Sequence, residues 1–324
     1  MPTHPLYISE AQARDLLTMS DALEVLEEAF SLPRGIQPDR KTNLARQRAL
    51  LPSGFFNVMG ATIPELGVFG LKAYYKAGAR IGYNVLLYSV SRGELLALIE
   101  ADFLSQLRTG AASGLATKYM ARSHTRKMAL IGTGKQAFWQ VASVAEVRQV
   151  EEVAVYGRDI DKARALADRI EGSLGIKAEA LATAEDCVAD ADIIATITSS
   201  VTPVCMSDWV KNGSHINAAG ANTLARQEIE TELAARCNVL ATDDLAQARV
   251  EAAEFVALHE NRRIDWDRIL TLDDLCSDVP GRRNDLDVTL FKSLGVAMED
   301  VALAARLYQR AVANTADEWR IANA

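Results

Sequence analysis

The chain has 324 residues, 49% of them apolar and 24% charged, with a net charge of −8; it is long enough for two cores and ordinary enough for a globular fold. No basic run invites nucleic acid or an anionic membrane surface, and no apolar stretch nears the roughly 18 residues of a membrane span. The N-terminus lacks the basic-then-apolar layout of a leader, Cys187, Cys205, Cys237 and Cys276 have no paired spacing, and His4, His124, His215 and His259 form no ligand set, so a cytoplasmic chain with reduced thiols and no metal is expected.

Ser20-Asp21 starts a predicted helix with Leu23, Leu26 and Phe30 at helical spacing, ended by Pro33 and Gly35. Strand-like runs follow at Asn43 to Leu51, Gly54 to Ala61, Gly70 to Tyr75 and Asn84 to Ser91, separated by turn residues. Thr109 to Ala121 is rich in small residues and reads as a closely packed helix. From residue 127 the pattern alternates: strand 127–131, a glycine loop, a helix, strand 153–156, a helix from Asp159, then apolar strands at 192–196, 215–219 and 239–242. This is the grammar of an α/β fold with a doubly wound parallel sheet. A long amphipathic helix, Ala297 to Asn314, closes the chain.

The strand at 127–131 runs into Gly132-Thr133-Gly134-Lys135-Gln136-Ala137. In a G-x-G-x-x-A loop the first glycine permits a tight turn and the second lets a pyrophosphate approach the backbone. The small third residue lets the helix pack, and its N-terminus faces the phosphates. The bland alternative is a tight turn that binds nothing. After the second strand, Arg158 offers a charge for a 2′-phosphate and Asp159 an acceptor for a ribose hydroxyl; the reading leans to NADP(H) over NAD(H).

Five patches in order carry a wider resemblance: Gly70-Leu71-Lys72, Leu107 to Ser113, Ile131 to Ala137, Ala191 to Ile194 with Thr196, and Phe291 to Gly295 with Glu299-Asp300. On these the chain resembles the ornithine cyclodeaminase/mu-crystallin family, which includes an archaeal-type alanine dehydrogenase and ketimine reductases. The resemblance implies an N-terminal α+β substrate and dimerisation domain (1–115, joined by a C-terminal helix at about 305–324) and a Rossmann dinucleotide domain (116–304). It further implies a homodimer.

The resemblance also implies site roles. Lys72 and Arg108 match the family's lysine and arginine around substrate and cofactor phosphates. The arginine before Met59 is either Arg46 or Arg48, which strand alternation puts on one face. A carboxylate substrate suits such a planar donor, and like charges nearby favour proton loss from Lys72. Without the resemblance, Lys72 reads better as a surface lysine at a strand end. Arg80, Thr109, Thr196, Ala218, Ala219 and Ser293 carry over as cofactor contacts, and Leu294 and Met59 as substrate neighbours. Phe55, Phe56, Tyr74 and Tyr75 read as an apolar lining or as core. Asn222 stands where the cyclodeaminase has an aspartate, and an amide does not exchange a proton at neutral pH. The expected activity is therefore an NAD(P)(H)-dependent oxidoreductase at the C–N bond of a small carboxylate-bearing 2-imino or 2-amino acid. A cyclodeaminase-type lyase with catalytic NAD and a mu-crystallin-like small-ligand binder are the alternatives.

Overall fold

The computed structural model describes residues 4–33 and 40–322, with side chains up to 314. Its contacts divide the chain into two units: residues 1–108 with 296–324, and residues 109–295. The first boundary falls inside a helix, between Arg108 and Thr109, and the second just before the C-terminal helix. The sequence expectation put these boundaries at 115 and 304.

The first unit opens with β1 (Leu6–Ile8), α1 (Glu10–Leu16) and α2 (Met19–Ser31). Each helix starts on a capping box, Ser9 with Gln12 and Thr18 with Asp21, which satisfies free N–H groups of the first turn. Sequence periodicity placed the start of α2 at Ser20-Asp21; Thr18 is the cap, and Asp21 is the third helical residue reaching back to it. Pro33 follows the helix, whereas Gly35 lies outside the described residues.

Five strands follow: β2 (Thr42–Leu51), β3 (Gly54–Ile63), β4 (Val68–Ala77), β5 (Arg80–Ser89) and β6 (Leu95–Glu100), then α3 (Asp102–Met120). The sheet order is β1-β6-β5-β4-β3-β2, antiparallel except for the β1–β6 pair. β1, α1 and β6 were not anticipated, and α3 begins seven residues before the expected Thr109. β1 is a three-residue run, too short to show a period.

The second unit is an eight-stranded parallel sheet. In chain order it contains β7 (Lys127–Ile131), α4 (Ala137–Val147), β8 (Glu152–Tyr156), α5 (Ile160–Leu174), β9 (Lys177–Ala180), α6 (Ala184–Val188), β10 (Ile193–Thr196) and β11 (His215–Ala218). It continues with α7 (Thr231–Arg236), β12 (Val239–Thr242), α8 (Leu245–Glu251), α9 (Ala253–Glu260), β13 (Ile269–Thr271), α10 (Leu272–Cys276) and β14 (Thr289–Lys292). The order is β13-β12-β14-β11-β10-β7-β8-β9. From β7 the chain winds outward through β8 and β9, then crosses back to β10 on the other side, so the topological switch lies between β7 and β10. Ligands of open α/β sheets bind at the C-terminal strand ends of that point. β10, β11, β12 and β14 are buried along their whole length, as central parallel strands covered on both faces must be.

The last helix, α11 (Ala297–Ala322), belongs to the first unit, where it packs across β3 and β4 and against α2. Arg310 on α11 pairs with Asp21 (Nη1 to Oδ2, 2.8 Å).

Candidate active site

In the first unit the ladder register aligns Met59, Lys72 and Val85 in one row and Arg48, Asn57, Tyr74 and Tyr83 in the next. Residues paired across strands, or two apart along one, share a face. The N-terminal turn of α11 covers this face. A Cβ on Gly70 would lie 2.6 Å from the Leu86 carbonyl oxygen and 3.2 Å from Val301 Cγ2. The glycine of Gly70-Leu71-Lys72 thus lets α11 come close enough for its acids to reach Lys72.

Lys72 is 2% exposed, which overturns the surface-lysine reading. Its Nζ lies 2.8 Å from Asp300 Oδ1. Arg108 donates from Nε to the same oxygen at 3.2 Å and from Nη1 to Glu299 Oε2 at 2.7 Å. Two cations and two carboxylates therefore form one buried cluster. The rings of Tyr74 and Tyr83 stack at 5.8 Å, and Lys72 Nζ lies 5.6 and 5.7 Å from their centroids, within cation–π range. Burial, first, and the charge of Arg108 pull the Lys72 ammonium down to about 8; Asp300 opposes this, and Arg46 adds to it. An amine balanced there both gives and takes a proton near neutral pH. Burial also pushes the Tyr83 hydroxyl up, keeping it a neutral donor.

Arg48 donates from Nε to Asn57 Oδ1 at 3.0 Å and lies over the Phe55 ring at 5.4 Å. The ladder shifts register between Leu44 and Gln47, so Ala45 and Arg46 together oppose Met59. Such a bulge re-aims side chains, and simple alternation does not describe Arg46. Phe55 and Tyr74 meet edge to face at 6.1 Å on the Lys72 side; Phe56 and Tyr75 pair on the opposite face. Arg80 is exposed at the tip of the β4–β5 hairpin, five residues along β5 from Val85, or roughly 17 Å from the Lys72 row. Within the first unit it does not join the cluster.

Glu299, Asp300 and Asn57 are the side chains whose contacts sequence reasoning missed. The signal for the acids was their setting. Both interrupt the apolar run from Ala297 to Leu303, and carboxylates in such a run are buried only with partners. Asn57 is fully buried, with Nδ2 bonded to nothing among the described residues.

In the second unit Gly132 has φ +122°, and a Cβ there would lie 2.4 Å from the Ile197 carbonyl oxygen. Both facts demand glycine where β7 meets the loop after β10. A Cβ on Gly134 would meet nothing within 4 Å: this backbone faces open space. Thr133 and Gly134 are followed by Lys135 and Gln136, and Gln136 caps α4 without a side-chain hydrogen bond. Ala137, first in α4, is fully buried. A Cβ on Gly157 would lie 2.6 Å from Thr133 Cγ2, so a side chain there would have to displace Thr133.

Arg158 is exposed beside this turn. Asp159 caps α5, accepting from the Lys162 N–H at 3.2 Å. Thr196 ends β10 with its buried Oγ1 unbonded among the described residues. The Ala219 N–H donates to the Thr196 carbonyl and the Ser293 N–H to that of Ala218, tying these strand ends together. Asp243 accepts from the N–H groups of Leu294 and Gly295, both at 2.7 Å, and so shapes the Ser293-Leu294 turn. The carbonyl of Thr109 accepts from Gln140 Nε2 on α4 at 3.4 Å. Asn222 is half-buried just past β11. An open-facing Gly134, an α4 start with no side-chain cap and an unbonded Thr196 hydroxyl fit a dinucleotide.

Burial also shifts groups outside the Lys72 cluster. Burial pushes the thiols of Cys187 and Cys237 up to about 12. It drives His215 down to about 3, between Thr289 and Asn217. Among the described residues no three His, Cys, Asp or Glu side chains gather as a metal site, and no helix is long and apolar enough to cross a membrane.

Known proteins share this layout over nearly the whole chain. The sequence model of the ornithine cyclodeaminase/mu-crystallin family matches residues 7–315. A Delta(1)-pyrroline-2-carboxylate reductase of Bacillus cereus is 32% identical, covering 95% of this chain and 97% of that protein. An alanine dehydrogenase of Archaeoglobus fulgidus is 30% identical, with 95% of each chain covered. The structure of the Thermococcus litoralis Delta(1)-pyrroline-2-carboxylate reductase in complex with NADH and L-proline superposes with a TM-score of 0.89 at 28% identity, over 96% of this chain and 98% of that one. The buried lysine cluster, the glycine loop and these full-length matches lead to one assignment: the chain belongs to the ornithine cyclodeaminase/mu-crystallin family.

Proposed function

We propose that the protein is an NAD(P)(H)-dependent oxidoreductase acting on the C–N bond of a small 2-imino or 2-amino acid, reducing a cyclic or open ketimine or oxidising its amine. The observation that carries this is Lys72: buried, bonded to Asp300 and pulled down to about 8. When bound, the nicotinamide supplies or accepts the hydride. Lys72 then gives a proton to the substrate nitrogen during reduction and takes one during oxidation. Asp300 orients its ammonium, and Arg108, pinned by Glu299 and Asp300, holds that carboxylate in place. Arg46 or Arg48 grips the substrate carboxylate, and Arg48 is pre-aimed by Asn57. Met59 and Leu294 border the substrate.

Arg80, Thr109, Thr133, Lys135, Gln136, Ala218, Ala219 and Ser293 complete the dinucleotide contacts in this reading. Arg158, exposed beside the turn while Asp159 is occupied as a cap, supports acceptance of the 2′-phosphate of NADP(H). A cytoplasmic homodimer is part of the same proposal. The sheet face opposite Lys72 supports it, carrying Leu44 at 57% and Phe56 at 38% exposure.

The test follows NADH and NADPH oxidation with pyrroline-2-carboxylate and with pyruvate plus methylamine, and assays ornithine with NAD in parallel. Stoichiometric cofactor oxidation on an imine is expected. Conversion of ornithine to proline and ammonia with only catalytic NAD, and no net oxidation on any imine, would overturn it. Asn222, in place of an aspartate, leaves the cyclisation without its second proton carrier.

A further inference from the structure

We propose that Glu228 is a positioning residue for the dinucleotide, fastening the loops after β10 and β11 into the shape that receives the cofactor; this rests on the reading of the second unit given above. Glu228 is fully buried. One carboxylate oxygen, Oε1, accepts the Thr198 N–H at 2.6 Å. The other accepts the N–H groups of Gly220 at 2.6 Å and Ala221 at 3.1 Å. Thr198 lies two residues past the end of β10, and Gly220 and Ala221 follow β11, so a single side chain ties together the exits of two adjacent strands.

The loops meet too closely for anything but glycine at 220. A Cβ there would lie 2.3 Å from both the backbone nitrogen and oxygen of Thr198 and 2.5 Å from Glu228 Oε1. The clamp is itself anchored, because the Glu228 carbonyl accepts from the N–H groups of Val204 and Cys205 at 2.8 and 3.1 Å.

Position matters here because β10 is one wall of the topological switch point. The carbonyl of Ile197, next to the clamped Thr198, abuts Gly132 of the glycine loop. Shifting residue 198 therefore shifts the wall against which the loop is built. On the other arm, Ala221 leads directly into Asn222. Burial pushes the Glu228 carboxyl up, and the charge of Lys292 with the amide hydrogen bonds draws it back. Three N–H groups with one common acceptor are a preorganised frame. Removing the acceptor leaves them to water or to disorder.

The experiment compares wild type with Glu228→Gln, an isosteric change that replaces one accepting oxygen by a donor facing donors. NADH and NADPH affinities are measured by fluorescence titration, and amide hydrogen exchange is followed at residues 198, 220 and 221. The variant is expected to bind both dinucleotides at least tenfold more weakly (about 1.4 kcal/mol), with faster exchange at those amides. At saturating cofactor its alkaline limb near 8 should stay as in wild type, because Glu228 bonds to no member of the Lys72 cluster. Wild-type affinity for both dinucleotides, whatever happens to Tm, would overturn the proposal. Should the variant fail to fold, wild-type exchange decides. Slow exchange at the three amides without dinucleotide supports a preformed frame, and fast exchange that slows only on adding NADH refutes it. Failure of the wild type to bind either dinucleotide would bring down the reading of the second unit, which a Glu228→Gln variant of unchanged affinity would leave standing.

Discussion

The two units build their sites in opposite ways. In the second, the proposed dinucleotide loop is six consecutive residues, 132–137, and what matters is backbone: a positive φ at Gly132, a missing Cβ at Gly134 and a helix start without a side-chain cap. In the first, the proposed chemistry belongs to side chains far apart in sequence, Lys72 and Asp300 being 228 positions apart. A phosphate needs only donors at the right spacing, which a short loop provides. A proton-transferring amine needs a burial depth, a counter-ion and a neighbouring cation at once, which only packing supplies.

The largest expected effect tests whether the first unit does the chemistry alone. Lys72→Ala should lower turnover by about a hundred- to ten-thousand-fold, the usual worth of a positioned acid or base, while NADH and NADPH titrate as in wild type. A parallel loss of dinucleotide affinity would break the division of labour.

Asp300→Asn probes how the amine is tuned. The carboxylate favours the charged form of Lys72, so without it the folded pKa falls further below about 8. Reduction requires the ammonium, so its rate should now decline at lower pH, the alkaline limb moving acidward by about 1–3 units. Oxidation requires the free amine, so its acid limb should move the same way. A pH profile in both directions measures this, and an unmoved limb would remove Lys72 from the proton transfer.

The smallest effect sharpens the second unit. Arg158→Ala should weaken NADPH binding roughly tenfold or more, since a charge-assisted contact contributes about 1.5–3 kcal/mol, and leave NADH nearly unchanged. Equal losses for both would show that Arg158 does not read the 2′-phosphate.

Legibility followed the same division. β7, β8, β10, β11 and β12 announced themselves as short apolar runs because they are buried along most or all of their length, and the turn at Gly132 is written in its glycines. β1 and β9, of three and four residues, were too short to carry a period. The alternation that put Arg46 and Arg48 on one face did not foresee the bulge at 45–46, because a bulge depends on the partner strand. Arg80 has the residue type of a phosphate contact, and its place at the exposed tip of the β4–β5 hairpin is set by strand pairing that no local pattern shows.

By itself the sequence determined the α/β class, the place of the glycine turn at 132–137 and the presence of Lys72 and Arg108, since each depends on residues near one another in the chain. The tertiary structure alone decided that Lys72 is buried, that Asp300 and Glu299 share Arg108, that Tyr74 and not Tyr75 faces the amine, and that Glu228 reaches across to Thr198 at the exit of β10. These are long-range contacts set by sheet register and by the return of α11, and no local pattern of residues encodes the electrostatic environment they create.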